Sequence, residues 1–290
     1  MNRRSMLQKS LLLTGVSALP PAFADLFPAS AIARKKGFLI GACDWSINGK
    51  ASLSAFDNAR KIGLDGVQVS LNTVKDETYL RDPAMQRQYL DAARQTGVAI
   101  SGLAIGTLND IPYKSDPRTE QWVQDSVDVA KALGVSTVLL AFFNNNDLKN
   151  DPKGTQVVID RLKAVAPKAE KAGVTLGIES WLSAAEHMAI IDAVGSPAVK
   201  VYYDVCNSSV MGYDIYQEMR DLGTKQICEV HIKENGFLIG QGKVDMKRVR
   251  QTLDQIGYRG WLQLEGAVPS GASVMDSYAQ NIKASRELFG

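Results

Sequence analysis

One stretch of the sequence decides the fold: Gly173-Val174-Thr175-Leu176-Gly177-Ile178-Glu179. A helix-like segment ends at its first glycine, a short apolar run follows, and an acidic residue closes the run. Glycine just past a helix end is the expected left-handed cap, and a short apolar run after it is typical of a buried strand. The stretch therefore predicts one unit of a repeated helix–glycine–strand pattern.

The same pattern recurs along the chain. A glycine precedes a short apolar run at seven places, Gly63, Gly97, Gly134, Gly173, Gly195, Gly223 and Gly257. Eight strands are predicted, at residues 38–47, 67–71, 98–105, 135–143, 174–179, 199–204, 227–232 and 261–265. Spacings of roughly 22 to 39 residues are those of βα units.

The length and the repeats favour a single-domain (β/α)8 TIM barrel. The chain has 290 residues, 45% of them hydrophobic, which is close to the usual size of such a barrel. An open Rossmann sheet is the weaker choice, because no Gly-x-Gly-x-x-Gly follows the first strand.

Four side chains that can bind a metal close four consecutive predicted strands: Glu179, Asp204, His231 and Glu265. The carboxyl ends of barrel strands meet at one face, so these groups are expected to lie together. Three carboxylates and one imidazole form a mostly oxygen shell, which suits Mn²⁺ and also accepts Mg²⁺, Co²⁺ or Zn²⁺. A single strand-end acid is common in barrels, but four ligand types in succession predict a site for one divalent ion.

At these residues the chain resembles the xylose isomerase-like family of sugar isomerases and epimerases, over essentially all of residues 34–290. The residues that carry the resemblance are Gly177-Ile178-Glu179, Tyr203-Asp204 with Asn207, Glu229-Val230-His231-Ile232-Lys233, Gly240-Gln241-Gly242-Lys243-Val244-Asp245 and Leu264-Glu265-Gly266. The resemblance implies that Glu179, Asp204, His231 and Glu265 hold one divalent ion. It also implies that the two glutamates act as acid and base.

The resemblance implies a sugar or keto-sugar as the small-molecule substrate. A divalent ion that holds a carbonyl oxygen and the neighbouring hydroxyl stabilises the enediolate formed when the α-proton leaves. Return of that proton gives an epimer or an isomer. Two alternatives stay open: a metal-dependent lyase or dehydratase on a keto-sugar or keto-glycoside, and an exported sugar-binding barrel without catalysis.

The substrate contacts depart from the family pattern. Asn207 stands where many of these epimerases have histidine, and Gln68 stands where a glutamate often ends the second strand. Both are expected to contact substrate. Lys233, two residues after His231, should point to the same side of its strand and serve as a catalytic group, with a surface lysine as the alternative.

Aromatic residues near strand ends can stack on a sugar ring. Trp45, Trp181 and Phe142 are the candidates, although core packing is as plausible for each. The second histidine of the chain, His187, is expected to be a partly solvated helix residue.

The first 33 residues carry the features of an export signal. Arg3-Arg4, an apolar run at residues 11–19 and the small-x-small site Ala22-Phe23-Ala24 resemble a twin-arginine signal, with an ordinary secretory signal as the alternative. We therefore expect a signal peptide and short linker at residues 1–33, the barrel at 34–290, export through the twin-arginine machinery, and a periplasmic or otherwise exported protein. The apolar run is too short for a stable membrane span.

The composition of the chain further limits the classes of partner that it is expected to bind. The basic excess lies within residues 1–33, as Arg3, Arg4 and Lys9 against Asp25, and the remainder is neutral. A neutral surface and only two histidines argue against nucleic-acid binding and against the three-zinc endonucleases of the same fold. Cys43, Cys206 and Cys228 are expected to be buried free thiols, and an oligomer is possible.

Overall fold

A computed structural model describes residues 37–290, which form a closed barrel of eight parallel strands in sequence order. The strands are β1 Leu39–Cys43, β2 Gly66–Ser70, β3 Ala99–Ile105, β4 Thr137–Phe142, β5 Thr175–Ser180, β6 Val199–Asp204, β7 Ile227–Glu234 and β8 Trp261–Gly266. The barrel closes because β8 also pairs with β1, with Leu39 opposite Trp261 and Ala42 opposite Leu264. The predicted (β/α)8 fold is confirmed.

Helices alternate with the strands around the outside of the barrel. They are α1 Ser54–Ile62, α2 Pro83–Thr96, α3 Arg118–Leu133, α4 Pro152–Ala172, α5 Ala184–Val194, α6 Val205–Val210, α7 Ile215–Gln226, α8 Met246–Gln255 and α9 Val274–Phe289. Within the described part of the chain, no helix combines the length and the hydropathy needed to cross a bilayer.

The glycines before the strands act largely as predicted. Five of them, at the ends of α1 to α5, are left-handed C-caps with φ between 68° and 90°. Gly223 differs, since its φ of 55° and ψ of −176° break α7 internally instead of capping it. Only glycine enters such a conformation without strain, so both roles explain the residue type.

Successive side chains along each strand point to opposite sides of the sheet, into two different environments. On β7, Val230 and Ile232 are fully buried in the apolar layer between strands and helices, whereas Glu229 and His231 face the barrel interior. Register places His231 beside Asp204 on β6 and beside Gln263 on β8. The layer between the strands and the helices is therefore apolar. The interior of the barrel is polar, and it extends to the carboxyl ends of the strands.

The first strand is shorter than predicted. It ends at Cys43, and Asp44–Ser46 form a 3₁₀ turn. The buried Asp44 carboxylate accepts hydrogen bonds from the Ser70 amide, the Ser70 hydroxyl and the Ala51 amide, and this draws the chain away from the sheet. The three cysteines are free thiols, as expected, with Cys43 and Cys206 buried and Cys228 partly buried. The expected signal peptide lies outside the described residues.

Candidate metal centre and substrate cavity

The four predicted ligands converge at the carboxyl ends of β5 to β8. One ligand atom from each of Glu179, Asp204, His231 and Glu265 lies within 4.8 Å of all the others. Nδ1 of His231 is 2.9 Å from Glu179 Oε1, 3.7 Å from Glu265 Oε2 and 3.8 Å from Asp204 Oδ2. Three acidic oxygens thus surround one imidazole nitrogen.

The local backbone explains the orientation of Asp204. Its Oδ1 accepts hydrogen bonds of 2.8 Å from the amides of Cys206 and Asn207, so Asp204 is the N-cap of α6. Its Oδ2 is buried and has no hydrogen-bond partner within residues 37–290. Burial raises the pKa of Asp204 to about 7, and the charges of Glu179 and Glu265 add to that rise while Lys233 opposes it. The free oxygen points at the space between the ligands.

The His231 ring divides the site into two sides. Nδ1 faces the carboxylates, while Nε2 lies 3.3 Å from Gln68 Oε1 and 3.3 Å from Cys43 Sγ. The ring is fully buried and packs edge-on against Tyr202 at 4.6 Å between centroids. Burial opposes a charged ring, yet the neighbouring acidic groups, including Glu179 and Glu265, raise its pKa.

Lys233 and Trp45 hold Glu265. Lys233 Nζ donates to Glu265 Oε2 at 2.7 Å, and Trp45 Nε1 donates to Oε1 at 2.9 Å. Burial would raise the pKa of Glu265, but the charges of His231 and Lys233 and these two hydrogen bonds lower it to about 2. Burial would likewise lower the pKa of Lys233, but the surrounding carboxylates raise it above the ordinary lysine range. Glu265 is therefore ionised at neutral pH, and Lys233 is an ammonium group that donates.

These residues fit a divalent ion. An unpartnered carboxylate oxygen inside a protein is unfavourable, and like-charged carboxylates within a few ångströms repel one another. A divalent cation bound by Nδ1 of His231 and by the three carboxylates would remove both penalties. The donor set, mostly oxygen with one imidazole, matches Mn²⁺, Mg²⁺, Co²⁺ or Zn²⁺ and does not choose among them.

A cavity of about 260 Å³ lies directly above the centre. Glu179, Lys233 and Glu265 form part of its floor, and Trp45, Phe143 and Trp181 supply its aromatic surfaces. Phe143 and Trp181 meet edge to face with centroids 4.9 Å apart. The remaining lining is mostly polar and neutral, and includes Ser70, Asn72, Thr107, Asn109 and Asn207. A small polyhydroxylated molecule suits such a cavity, since its apolar ring face and its hydroxyls both find partners.

Three of the predicted substrate residues line this cavity: Trp45, Trp181 and Asn207. Gln68 does not. It is fully buried beneath His231, where its amide contacts His231, Tyr202 and Cys43, because a residue two positions before the end of β2 sits one layer deeper in the barrel. Gln68 therefore lies beneath His231 and outside the cavity.

The structure decides one open alternative, for Phe142, and differs from one expectation, for His187. Phe142 is fully buried in the outer apolar layer against Tyr113, and its neighbour Phe143 faces the cavity, because adjacent strand residues point to opposite sides. His187 is only 4% exposed. Its ring nitrogens lie 3.0 Å from the Ser180 hydroxyl and 3.0 Å from the Ser183 carbonyl oxygen, so it joins the end of β5 to the start of α5.

Sequence reasoning missed Asn72, whereas Thr107 and Asn109 lie in the polar segment at residues 107–116, whose place after the third strand makes it a candidate substrate loop. Thr107 donates to Asn72 Oδ1, and Asn109 Oδ1 accepts from the Phe143 amide. These bonds connect the loops after β2, β3 and β4 around the cavity. The only available signal was their position just past predicted strands, where polar loop residues are usually solvated.

Comparison with known proteins supports the fold and the family. The chain matches the family model described as xylose isomerase-like TIM barrel over residues 56–288. It is 25% identical over 221 residues to 2-epi-5-epi-valiolone 7-phosphate 2-epimerase of Actinoplanes sp., covering 74% of this chain and 81% of that protein. It is 24% identical over 230 residues to L-ribulose-5-phosphate 3-epimerase UlaE of Escherichia coli, covering 73% and 81%.

Solved structures share the architecture at lower identity. D-allulose 3-epimerase from Methylomonas sp., in complex with D-allulose, superposes with a TM-score of 0.71 at 16% identity, covering 88% of this chain and 98% of that one. The 3-keto-D-glucoside 4-epimerase YcjR of E. coli gives 0.71 at 14% identity, covering 86% and 99%. At these identities the likeness shows the fold.

Proposed function

Because this chain belongs to the xylose isomerase-like TIM barrel family, we propose that it is a divalent-metal-dependent isomerase or epimerase of a keto-sugar. One observation carries the proposal. Glu179, Asp204, His231 and Glu265 converge within 4.8 Å of one another at the floor of a cavity sized for a small sugar, and Asp204 Oδ2 has no hydrogen-bond partner within residues 37–290. The relatives named above are epimerases, which agrees with this chemistry.

Two carboxylates supply the proton chemistry. The bound ion would provide the positive charge that stabilises an enediolate. Glu265 is held ionised by Lys233 and Trp45, so it can accept a proton from a carbon placed above it. Glu179 reaches the same space from β5, with Oε1 2.9 Å from His231 Nδ1. Two carboxylates from different strands can remove a proton at one position and return one at another, which gives epimerisation or isomerisation.

Lys233 acts through its charge. Its ammonium group lies 2.7 Å from Glu265 and 3.8 Å from Asp204, and it lines the cavity. A protonated lysine donates hydrogen bonds and does not accept a proton, so its role is to polarise a substrate oxygen and to orient Glu265. Trp45, Phe143 and Trp181 bind the apolar face of the sugar and exclude water from the carboxylates.

The cavity favours a substrate without a phosphate group. Among the described residues that line it, Lys50 and Lys233 are the cations, and Lys233 is already engaged by two carboxylates. No arginine lines the described cavity walls. Since phosphate sites usually present arginine, several cations or backbone amides at a helix N-terminus, a neutral keto-sugar is the better match.

Export through the twin-arginine pathway is part of the proposal. Its support is the sequence of residues 1–33, with Arg3-Arg4 before a mild apolar run, since that pathway carries folded proteins with bound cofactors. Changing both arginines to lysine should leave active protein in the cytoplasm. Normal export of that variant would instead assign an ordinary secretory signal.

Proton exchange tests the function. The protein is incubated with Mn²⁺ and a panel of unphosphorylated keto-sugars in D₂O, and the recovered sugars are analysed by NMR and mass spectrometry. An epimer or isomer that carries deuterium at the carbon next to the carbonyl is expected, and chelation should abolish its formation. An unsaturated or cleaved product would assign a lyase, and binding without exchange would leave a sugar-binding protein.

A further inference from the structure

A chain of hydrogen bonds runs down the barrel interior from His231. Its members are His231, Gln68 and Tyr202, all 1% exposed or less. Nε2 of His231 lies 3.3 Å from Gln68 Oε1, and Gln68 Nε2 donates to the Tyr202 hydroxyl at 2.9 Å.

The Tyr202 hydroxyl orients the Gln68 amide. This hydroxyl accepts the hydrogen bond that Gln68 Nε2 donates. The Gln68 amide is thereby oriented with nitrogen toward Tyr202 and oxygen toward His231.

This orientation determines which nitrogen of His231 carries the proton. Nδ1 faces Glu179, Asp204 and Glu265, so it is the nitrogen that would bind an ion. A neutral imidazole that binds through Nδ1 carries its hydrogen on Nε2, and that hydrogen needs an acceptor. The Gln68 oxygen is that acceptor. A reversed amide would place an N–H group against an N–H group in a dry interior.

We propose that Gln68, oriented by Tyr202, is a positioning residue that fixes His231 in the Nε2–H tautomer and so prepares Nδ1 to bind the ion. The proposal rests on the metal site of the proposed function. Cys43 Sγ, 3.3 Å from both Gln68 Oε1 and His231 Nε2, fills the remaining space beside the bond and also donates to Gln68.

Three variants separate positioning from packing. Gln68→Met removes the acceptor while keeping the side-chain length, and should weaken divalent-ion binding by roughly 10-fold to 100-fold. Gln68→Glu keeps an oxygen acceptor for Nε2–H and should retain most of the affinity. Tyr202→Phe releases the Gln68 amide, and an intermediate loss is expected. Tyr89→Phe, another fully buried tyrosine whose hydroxyl contacts only Tyr79 in the described chain, controls for the loss of a buried hydroxyl.

The readouts are metal affinity and the state of the ring. Mn²⁺ and Zn²⁺ affinities are measured by calorimetry on each purified variant, and circular dichroism confirms folding. Long-range ¹H–¹⁵N correlation spectra of the Zn²⁺-loaded protein report the tautomer, and the chain has only two histidines, so His187 is the internal reference. The expected result is an Nε2–H ring for His231 in wild type and Tyr89→Phe, and a mixture of ring states in Tyr202→Phe.

Two outcomes would overturn the proposal, and they are distinguishable. If wild type binds the ion and Gln68→Met and Tyr202→Phe bind it equally well, with an unchanged His231 tautomer, the positioning role is wrong while the metal site stands. If wild type itself binds no divalent ion, the proposed metal centre and the positioning role are both wrong.

Discussion

Replacing Asp204 with asparagine should stabilise the protein without metal and remove its response to metal. Asparagine keeps Oδ1 as the cap for the amides of Cys206 and Asn207, but it removes the charge at the unpartnered Oδ2. That charge is unfavourable without an ion, because it is buried beside Glu179 and Glu265. With an ion, the same charge is a direct ligand.

The shift in the pKa of Asp204 sets the size of this stabilisation and its dependence on pH. The pKa of Asp204 rises from 3.8 to about 7 on folding, so the folded chain binds more protons than the unfolded chain between those values. Stability contributed by this group therefore falls as pH increases from about 4 to about 7. That rise corresponds to about 4 kcal/mol at most. We expect Asp204→Asn to be more stable than wild type by about 2–4 kcal/mol at pH 8 and by almost nothing at pH 4.

Urea unfolding in EDTA from pH 4 to pH 8, followed by thermal melting with added Mn²⁺, measures both effects. Asp214→Asn is the matched control, because Asp214 caps α7 through the amides of Tyr216 and Gln217 in the same pattern but is exposed. The control should show neither effect. A destabilised Asp204→Asn protein in EDTA at pH 8, or one whose melting temperature rises with Mn²⁺ as much as that of wild type, would refute this reasoning.

Three further outcomes are expected. Glu179→Gln and Glu265→Gln should each lower turnover by roughly 10²-fold to 10⁴-fold in steady-state assays with little change in substrate binding, whereas near-normal turnover would leave both as ligands only. Trp181→Ala should raise KM by about 3-fold to 10-fold with a smaller effect on kcat, as expected for lost stacking. Burial lowers the pKa of His187 from 6.5 to about 4, so the unfolded chain binds the extra proton between those values and acid destabilises the fold. His187→Asn should remove about 3 kcal/mol of the stability change between pH 7 and pH 4 in urea titrations.

The four candidate ligands could be identified from the sequence because all strands of a parallel barrel run in the same direction. The position of a residue along its strand therefore determines which face of the barrel it lies near. An acid or histidine at or near the carboxyl end of a strand lies close to the carboxyl face, and four consecutive strands place four such groups around one axis. Glu179, Asp204, His231 and Glu265 show this directly. The glycines that precede the strands marked the repeats for the same reason, since their conformation is local.

The residues that surround the four predicted ligands could not be predicted, because their positions depend on exact strand ends and register. A one-residue difference decides whether Phe142 or Phe143 faces the cavity, and sequence patterns do not locate strand ends that closely. Gln68 lies beneath His231 because β2 extends two residues further, to Ser70. His187 is buried by tertiary contacts with Ser180 and Ser183, which helix periodicity does not reveal.

The most direct test of the account is a crystal structure of the protein soaked in Mn²⁺, with anomalous difference maps recorded at the manganese absorption edge. One strong peak per chain is expected, at about 2.0–2.2 Å from His231 Nδ1 and from a carboxylate oxygen of Glu179, Asp204 and Glu265. The same map from Asp204→Asn should show a weak peak or none. A peak at another place, or none in well-ordered wild-type crystals, would contradict the central claim that these four side chains form a divalent-metal centre.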